Sequence, residues 1–590
     1  MKAAYSVAER ALSFGLHGIV DLLIGKYVNS DVTIKLLNLL LWMYTKCSMV
    51  ERALSTFRKM MENGFLPEVK NCNRVLRVLR DGNRWSEVRV VYQDMVRAGV
   101  QPTIVTFNTM LDCYCKEGQA EEAYILLLDM EFKNFNRCLP NDVTYNVVIN
   151  GLSKKGELEK AEKLLAKMQS SGKASSFSYN PLINALFSKG FADQALLFET
   201  NMVGKGILPS VTTYNTIIYW LCKMGKVEEA RKKFTQMESK GLTMDVVSYN
   251  SLIYGYCRLG NIMEALSLFE DLRRAQIVPT VRTFNILIDG HCRVGALEKA
   301  LKFKDYMIEC GCHPDICTYT ILVNGSCKMG YHAMAKGYFD EMLHRGLQPD
   351  CFAYDTRLAC ESKHGAMYRA FQLREEMVAR GVVPDIITYN ILIDGIFRTG
   401  DWDEAYRVWR KMINEGVVPD CVTYTCIIHA LCRKGHLDEA KRVFDRMLCN
   451  NVSPSLVTYT VLIHAYARKG NIGTAYGFFL QMLQDNVQPN VITYNALING
   501  LCRTGNVKLA YRCFYEMQER GLSPNKYTYT LLINQSCDFG YWDEVQRLFG
   551  EMLEKGVLPD SCTYSVLLKN VGDEFRDLAV YYLENYVLAG

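Results

Sequence analysis

One position in each stretch of about 35 residues holds only Asn, Thr, Asp or Ser: Asn38, Asn73, Asn108, Asn146, Asn180, Asn215, Asn250, Asn285, Thr320, Asp355, Asn390, Thr425, Thr460, Asn495, Thr530 and Ser565. A second series follows roughly 30 residues behind the first: Thr103, Asn141, Ser175, Ser210, Asp245, Thr280, Asp315, Asp350, Asp385, Asp420, Ser455, Asn490, Asn525 and Asp560, with Glu68 as its exception. Amides and hydroxyls both donate and accept hydrogen bonds, whereas carboxylates only accept. Two such side chains per period, varied from one period to the next, suit the reading of a linear polymer one subunit at a time. Helix capping explains the same residue types, but capping residues such as Asp245 or Ser248 already precede the first series.

A third series is basic: Lys116, Lys154, Lys223, Arg258, Arg293, Lys328, Lys363, Arg398, Arg433, Arg468 and Arg503, interrupted by Asp81, Ser188 and Asp538. A solvated helix face is its ordinary reading. One positive charge per period also matches one phosphate per nucleotide of a single strand. Net charge is only +5, from 68 Lys and Arg against 63 Asp and Glu, so any polyanion must be held by where these residues sit.

Catalytic signatures are absent. None of the nine histidines begins H-x-E or H-E-x-x-H, and there is no G-x-x-x-x-G-K-[ST], G-x-S-x-G or C-x-x-C. Cys115, Cys222, Cys257, Cys292, Cys327, Cys432, Cys502 and Cys537 share one slot that elsewhere holds Ser153, Phe187, Ser362, Phe397 and Ala467. Phe and Ala cannot ligate zinc, so these are expected to be packing cysteines. The methionine slot from Met60 to Met552 is expected to fill core. No metal and no cofactor is implied.

The elements that carry these slots follow from the prolines. Thirteen of 14 fall in one series, spaced by 35 residues from Pro279 to Pro559. Units therefore begin at Ile34, Val69, Ile104, Asp142 and Ser176 and then regularly from Val211, the array ending at Asp560. The unit Ile104 to Asn141 has 38 residues and the next has 34, so both irregularities should fall in loops. In the unit from Cys421, Tyr424, Ile427, Ile428 and Leu431 mark one face of a helix over Thr423 to Arg433, and a second helix is predicted over Leu437 to Leu448. Gly435 breaks the pattern between them, and glycines recur there from Gly118 to Gly540. Gly or Asn also ends each second helix, where the left-handed cap favours them, Gln276 being the departure. Small residues from Ala53 to Ala510 let the two helices approach. A lone hairpin cannot bury both faces, so the fold class is an all-α solenoid of stacked hairpins.

Composition agrees with a folded chain: 590 residues, 49% hydrophobic and 22% charged. Its longest apolar run, Leu36 to Tyr44, is too short to span a bilayer. With no secretory leader pattern, a reducing compartment is expected for the 22 cysteines.

Segments such as Val-Thr-Tyr-Asn, Leu-Cys-Arg-Thr-Gly and Gly-Leu-Ser-Pro-Asn resemble the pentatricopeptide repeat proteins of plant organelles, in their plain 35-residue class. The resemblance covers about nine-tenths of the chain. It implies a right-handed superhelical solenoid of 15 repeats over residues 34–560, binding single-stranded organellar RNA with the fifth and last residues of each unit choosing the base. By the family's rule, Asn215/Asp245, Asn285/Asp315 and Asn390/Asp420 read U, Thr320/Asp350 and Thr530/Asp560 read G, and Thr460/Asn490 reads A. C is expected at Asn108/Asn141, Asn495/Asn525, Asn146/Ser175 and Asn180/Ser210. Asn73/Thr103 and Asn250/Thr280 take either pyrimidine, Thr425/Ser455 a purine, and Asp355/Asp385 has no assignment. The expected target is 5′-YCCCUYUGNURACG-3′. The second residue of each unit, as in Val105, Val247, Ile387, Val422 and Val457, should wedge between bases, with Arg282 and Cys317 departing from the pattern.

The same resemblance implies a monomer that acts sterically in transcript protection, processing, splicing or translation, alongside separate processing or translation factors. Residues 1–33 are expected to form a degenerate repeat or cap and residues 561–590 a partial repeat and cap, without the catalytic tails of some relatives. A mitochondrion, or alternatively a plastid, follows from the resemblance, although the first 30 residues do not read as a transit peptide. The rival reading is a protein-binding helical-repeat scaffold, whose signature Trp and Leu-Gly pattern is missing.

Overall fold

Proline, glycine and asparagine cut the helical pattern into pieces of about thirteen residues, and each piece forms one helix. The computed structural model describes residues 20, 24, 30–132 and 138–570. Among the described residues there are fifteen helical hairpins, then the single helix Ser561–Asn570, and no strand. Most of 1–33 and all of 571–590, where caps are expected, lie outside the described residues.

Two compact units divide between Cys312 and His313. The first runs from the hairpin Ser30–Lys46 with Val50–Glu62 to Val281–Arg293 with Leu297–Glu309. The second runs from Ile316–Lys328 with His332–His344 to Lys526–Asp538 with Trp542–Glu554 and ends in the single helix.

Helix ends follow the punctuation. Gly225 and Gly435 take φ of 83° and 88° between the two helices of their hairpins. At the end of the second helix Gly241 has φ 71°, and the Leu242 N–H returns to the Met237 carbonyl at 3.2 Å. Gln276 adopts the same left-handed conformation at φ 58° despite its side chain. The helix expected over Thr423 to Arg433 is longer, Cys421–Lys434, because Asp420 caps it. The one-residue deletion in the 34-residue unit shortens the loop after Leu158–Ser170.

Ala230, Ala265, Ala440 and Ala475 are fully buried where the helices of a hairpin meet, as are Met237, Met447 and Met482 near the second helix's end. Successive hairpins meet through aromatic edges: Phe234 on Tyr249 at 5.1 Å between ring centroids, Phe479 on Tyr494 at 5.3 Å, and Phe444 on Tyr459 at 5.5 Å. Such T-shaped pairs add to the area they bury. Stability is thus built from neighbour interfaces.

The cysteine slot points at the next hairpin. Cys222 and Cys257 are buried, and their thiols are pushed up to about 12 by burial. Each faces a glycine on the following first helix: a Cβ added to Gly255 would lie 2.5 Å from Cys222 Sγ, and one added to Gly290 would lie 2.6 Å from Cys257 Sγ. Cys327 departs from the packing expectation. The residue opposite it is Cys360 instead of a glycine, and the two form a disulfide with Cα atoms 5.6 Å apart.

Candidate nucleic-acid interface

The last residue of each unit is the N-cap of the helix that follows. Asp245, extended at φ −107°, accepts the Ser248 N–H at 2.9 Å. Asn141, Asp420 and Asn525 accept the N–H three residues on at 3.0, 2.9 and 3.0 Å. Restriction to short polar side chains at this position therefore has a local cause, beyond any part in recognition. Glu68, with its longer side chain, makes no such bond.

The fifth residue does not cap. It sits one turn into the helix, and its side chain is mostly covered: Asn215 is 8% exposed and Thr320 4%. In several units its tip meets the last residue of the same unit. Asn215 Nδ2 donates to Asp245 Oδ1 at 3.0 Å, Asn390 Nδ2 to Asp420 Oδ1 at 3.3 Å, and Asn495 Nδ2 to Asn525 Oδ1 at 3.3 Å. Asn73 Nδ2 similarly reaches Thr103 Oγ1 at 3.2 Å.

A third group closes most of these clusters, the hydroxyl of the third residue in the next unit. Ser248 Oγ donates to Asn215 Oδ1 at 2.6 Å, and Thr423 Oγ1 donates to Asn390 Oδ1 at 2.6 Å. Thr144, Ser178 and Thr213 donate to Asn108, Asn146 and Asn180, each at 2.7 Å. At three of the four fifth-position threonines two hydroxyls meet: Thr425 with Thr458 at 2.7 Å, Thr460 with Thr493 at 2.9 Å, and Thr530 with Thr563 at 2.8 Å. Asn250 differs, its carbonyl oxygen being buried without a partner. Asn285 is buried in Val281–Arg293, and Asp315 caps Ile316–Lys328.

In the second compact unit these groups line one open groove of about 900 Å³. Its wall includes Thr460, Asn495 and Asn525 from the two polar series, Ile492 and Tyr527 from the second position of their units, and Arg433, Arg468 and Arg503 from the basic series. The second-position side chains are exposed throughout, as at Val105, Val247, Ile387, Val422 and Val457, and Phe177 and Phe352 stand at the same place. An exposed apolar side chain in most repeats, with exceptions such as Lys70, Thr212 and Arg282, beside paired hydrogen-bonding groups is a surface on which flat rings can stack.

The basic series is partly committed to neighbours. Lys116, Arg293 and Arg398 pair with the carboxylate one turn before them, Asp112 at 3.5 Å, Asp289 at 2.6 Å and Asp394 at 2.8 Å. Lys223 lies over the Trp220 ring, 4.4 Å from its centroid, and Arg258 donates to the Lys223 carbonyl at 2.7 Å.

Asp355/Asp385 is an acidic pair. Thr388 Oγ1 donates to Asp355 Oδ1 at 2.7 Å and reaches Asp385 Oδ1 at 3.3 Å. Burial pushes the Asp355 carboxyl up to about 6, the Thr388 hydrogen bond opposing it and the Asp385 charge adding to it. With Cys351 these two carboxylates form a group of potential metal-ligating atoms within 4.8 Å of one another. Burial and the Asp355 charge keep the Cys351 thiol neutral, at about 11.

Two features lay outside the sequence-based site: the third-position hydroxyl and the close approach of first helices at Gly255, Gly290 and Gly500. Both carried a signal. Asp-x-x-Ser and Asp-x-x-Thr are capping-box spacings, and a glycine inside a helix costs about 1 kcal/mol relative to alanine unless packing demands it.

A helical-repeat array with an exposed polar and basic groove is the class this geometry defines. The PPR repeat family matches residues 209–249, 244–293, 279–328, 352–398, 384–433, 419–468, 454–503 and 489–538, more than half of the chain. The chain belongs to the pentatricopeptide repeat family. Further matches to the family's repeats cover 36–65, 98–131 and 136–169. Pentatricopeptide repeat-containing protein At1g22960, mitochondrial, of Arabidopsis thaliana is 56% identical over 81 residues, 14% of this chain and 11% of its own length. The mitochondrial At2g15630 protein of the same plant is 39% identical over 62 residues, 10% of each chain. These matches thus span about a tenth of the relatives' lengths. The crystal structure of the pentatricopeptide repeat protein PPR10 from maize is similar in fold, with TM-score 0.52 and 22% identity over 99% of this chain and 93% of that one. PPR10 in complex with an 18-nt psaJ RNA element gives TM-score 0.50 at 23% identity, over 99% and 90% of the two chains.

Proposed function

We propose that the chain binds single-stranded RNA, one base per repeat, and acts without catalysis by occupying about 14 nucleotides. The observation that carries this reading is the groove where Thr460, Asn495, Asn525, Ile492, Tyr527 and three arginines stand together. It offers hydrogen bonds for base edges, apolar faces for stacking and positive charge for phosphates. Similarity in fold to a protein solved with an RNA element supports the same reading.

The fourteen units of 69–560 would read 5′-YCCCUYUGNURACG-3′, through the fifth and last residues, with the basic series holding phosphates. Mitochondrial labels on several relatives support a mitochondrial site of action, with a plastid as the alternative. Transcript protection, processing, splicing or translation are the outcomes that covering a segment would serve, with separate factors supplying any chemistry. No described helix is long and apolar enough to cross a membrane.

Fluorescence anisotropy with the purified chain tests the proposal. The matched 14-mer should bind well below micromolar Kd, and its complement and the duplex of the two at least a hundredfold more weakly. Equal binding of all three would leave a non-specific cation surface in its place.

A further inference from the structure

Between the two reading side chains of a unit stands the hydroxyl three residues into the next helix, and nothing in the repeat pattern gives it a part in recognition. We propose that this buried hydroxyl is a positioning residue, which fixes the atoms that the fifth and last side chains present to the groove and so sets how sharply each unit discriminates among bases. The inference rests on the base-reading proposal and adds a residue to it.

The argument is one of proton counting. Ser248 and Thr423 are fully buried, and each hydroxyl has one proton. Its oxygen accepts the N–H of the capping residue, from Asp245 to Ser248 and from Asp420 to Thr423, each at 3.3 Å. The proton has two acceptors within reach, Oδ1 of the capping aspartate at 2.9 Å and Oδ1 of the fifth residue at 2.6 Å, at both Asn215 and Asn390. It goes to the nearer, since otherwise two bare oxygens would stand 2.6 Å apart. A reversed amide would set its carbonyl oxygen against the Asp245 carboxylate, two acceptors about 3.0 Å apart. The amide is therefore locked, and an N–H of Nδ2 is what remains to offer a ligand.

Threonine units use the hydroxyl in the same direction with the opposite result. Thr425 Oγ1 gives its own proton to the Cys421 carbonyl at 2.7 Å. In the 2.7 Å contact between Thr425 and Thr458, Thr458 must then donate. Thr460 and Thr530 likewise donate to the Leu456 and Lys526 carbonyls, at 2.7 and 2.8 Å. An Asn at the fifth place thus presents a donor, because the third-position hydroxyl donates to its oxygen, and a Thr presents an acceptor, because its own proton goes to the carbonyl four residues before it and the third-position hydroxyl donates to it.

Three units depart from the device: Asn71 donates an amide N–H to Asn38 Oδ1 at 2.9 Å in place of a hydroxyl, Asn250 Oδ1 has no partner although Thr283 stands at the third position, and one unit has no polar side chain there at all. Ala353 occupies the third position after Thr320/Asp350, where Asp350 accepts the Ala353 N–H at 2.8 Å and Thr320 donates to the Ile316 carbonyl at 2.7 Å, with no hydroxyl between them.

The test compares affinities of the full chain for the 14-mer and for RNAs changed at its fifth or eighth nucleotide. Ser248→Ala should lower the preference for U at the fifth nucleotide roughly fivefold, the equivalent of one neutral hydrogen bond, and Ser248→Thr should keep it. Ala353→Ser should raise the preference for G at the eighth by a similar factor. A lower Tm in Ser248→Ala with an unchanged preference would overturn the proposal and leave the hydroxyl as a capping group. If Ser248→Ala does not fold, Ala353→Ser decides, and no gain there overturns it. A wild-type chain without preference at either nucleotide would defeat base reading itself, and this inference with it.

Discussion

Asn215 Nδ2 donates to Asp245 Oδ1 at 3.0 Å, joining the first helix of one repeat to the cap of the next across 30 residues of chain. The contact makes two separate slots into one hydrogen-bonded pair. Asp245 also caps the following helix, so its carboxylate is held by structure before any ligand arrives. Although burial raises its pKa, hydrogen bonds from Ser248 and Asn215 outweigh that and keep the carboxyl below its usual range.

The Asp355 carboxyl behaves in the opposite way, and pH should reveal it. Its folded value, about 6, lies above the ordinary value of 3.8, so the folded chain holds this proton more tightly than the unfolded chain. Its contribution to stability is complete below about pH 4 and is lost as pH rises through 6. Asp245 and Asp420, held below their usual range, favour the opposite slope, lost as pH falls through their folded values. Melting of wild type and Asp355→Asn from pH 4 to 7 should therefore converge at low pH, the variant becoming relatively more stable above pH 6. Parallel curves would contradict the assignment.

Much of this architecture was legible in the sequence because turns are local. Gly225 and Gly435 need a left-handed backbone, and the spacing of Tyr424, Ile427 and Leu431 defines a face without reference to anything distant. The pairing of Asn215 with Asp245 and the meeting of Cys327 with Cys360 depend on how one hairpin stacks on the next. Periodicity predicts that stacking but not which atoms it joins. Asp245 was legible as a cap, but the first residues of each helix lie outside the apolar pattern, so the helix expected from Thr423 begins at Cys421.

The Cys327–Cys360 bond ties two consecutive first helices across 33 residues. A loop of that length corresponds to roughly 3–4 kcal/mol in the chain-entropy account of disulfides. Dithiothreitol should lower the Tm of wild type, while Cys360→Gly, which restores the residue type found opposite Cys222 and Cys257, should melt near the reduced protein and ignore the reductant. Equal melting of oxidised and reduced wild type would show that the bond adds nothing.

Phosphate contacts should appear in the salt dependence. For a single strand each neutralised phosphate contributes about 0.7 to the slope of log affinity against log salt. Arg468→Ala, in the groove, should reduce that slope by about 0.7. Arg398→Ala should reduce it less, since Arg398 already pairs with Asp394 at 2.8 Å. Equal slopes in wild type and Arg468→Ala would remove the basic series from the interface.

Selection of RNA from a random pool by wild type and by Asn215→Thr, sequenced side by side, tests the central claim most directly. Wild type should enrich 5′-YCCCUYUGNURACG-3′, and the variant should enrich the same sequence with G in place of U at the fifth nucleotide alone. An identical motif from both proteins, or no motif from either, would contradict a groove that reads one base through each pair of side chains.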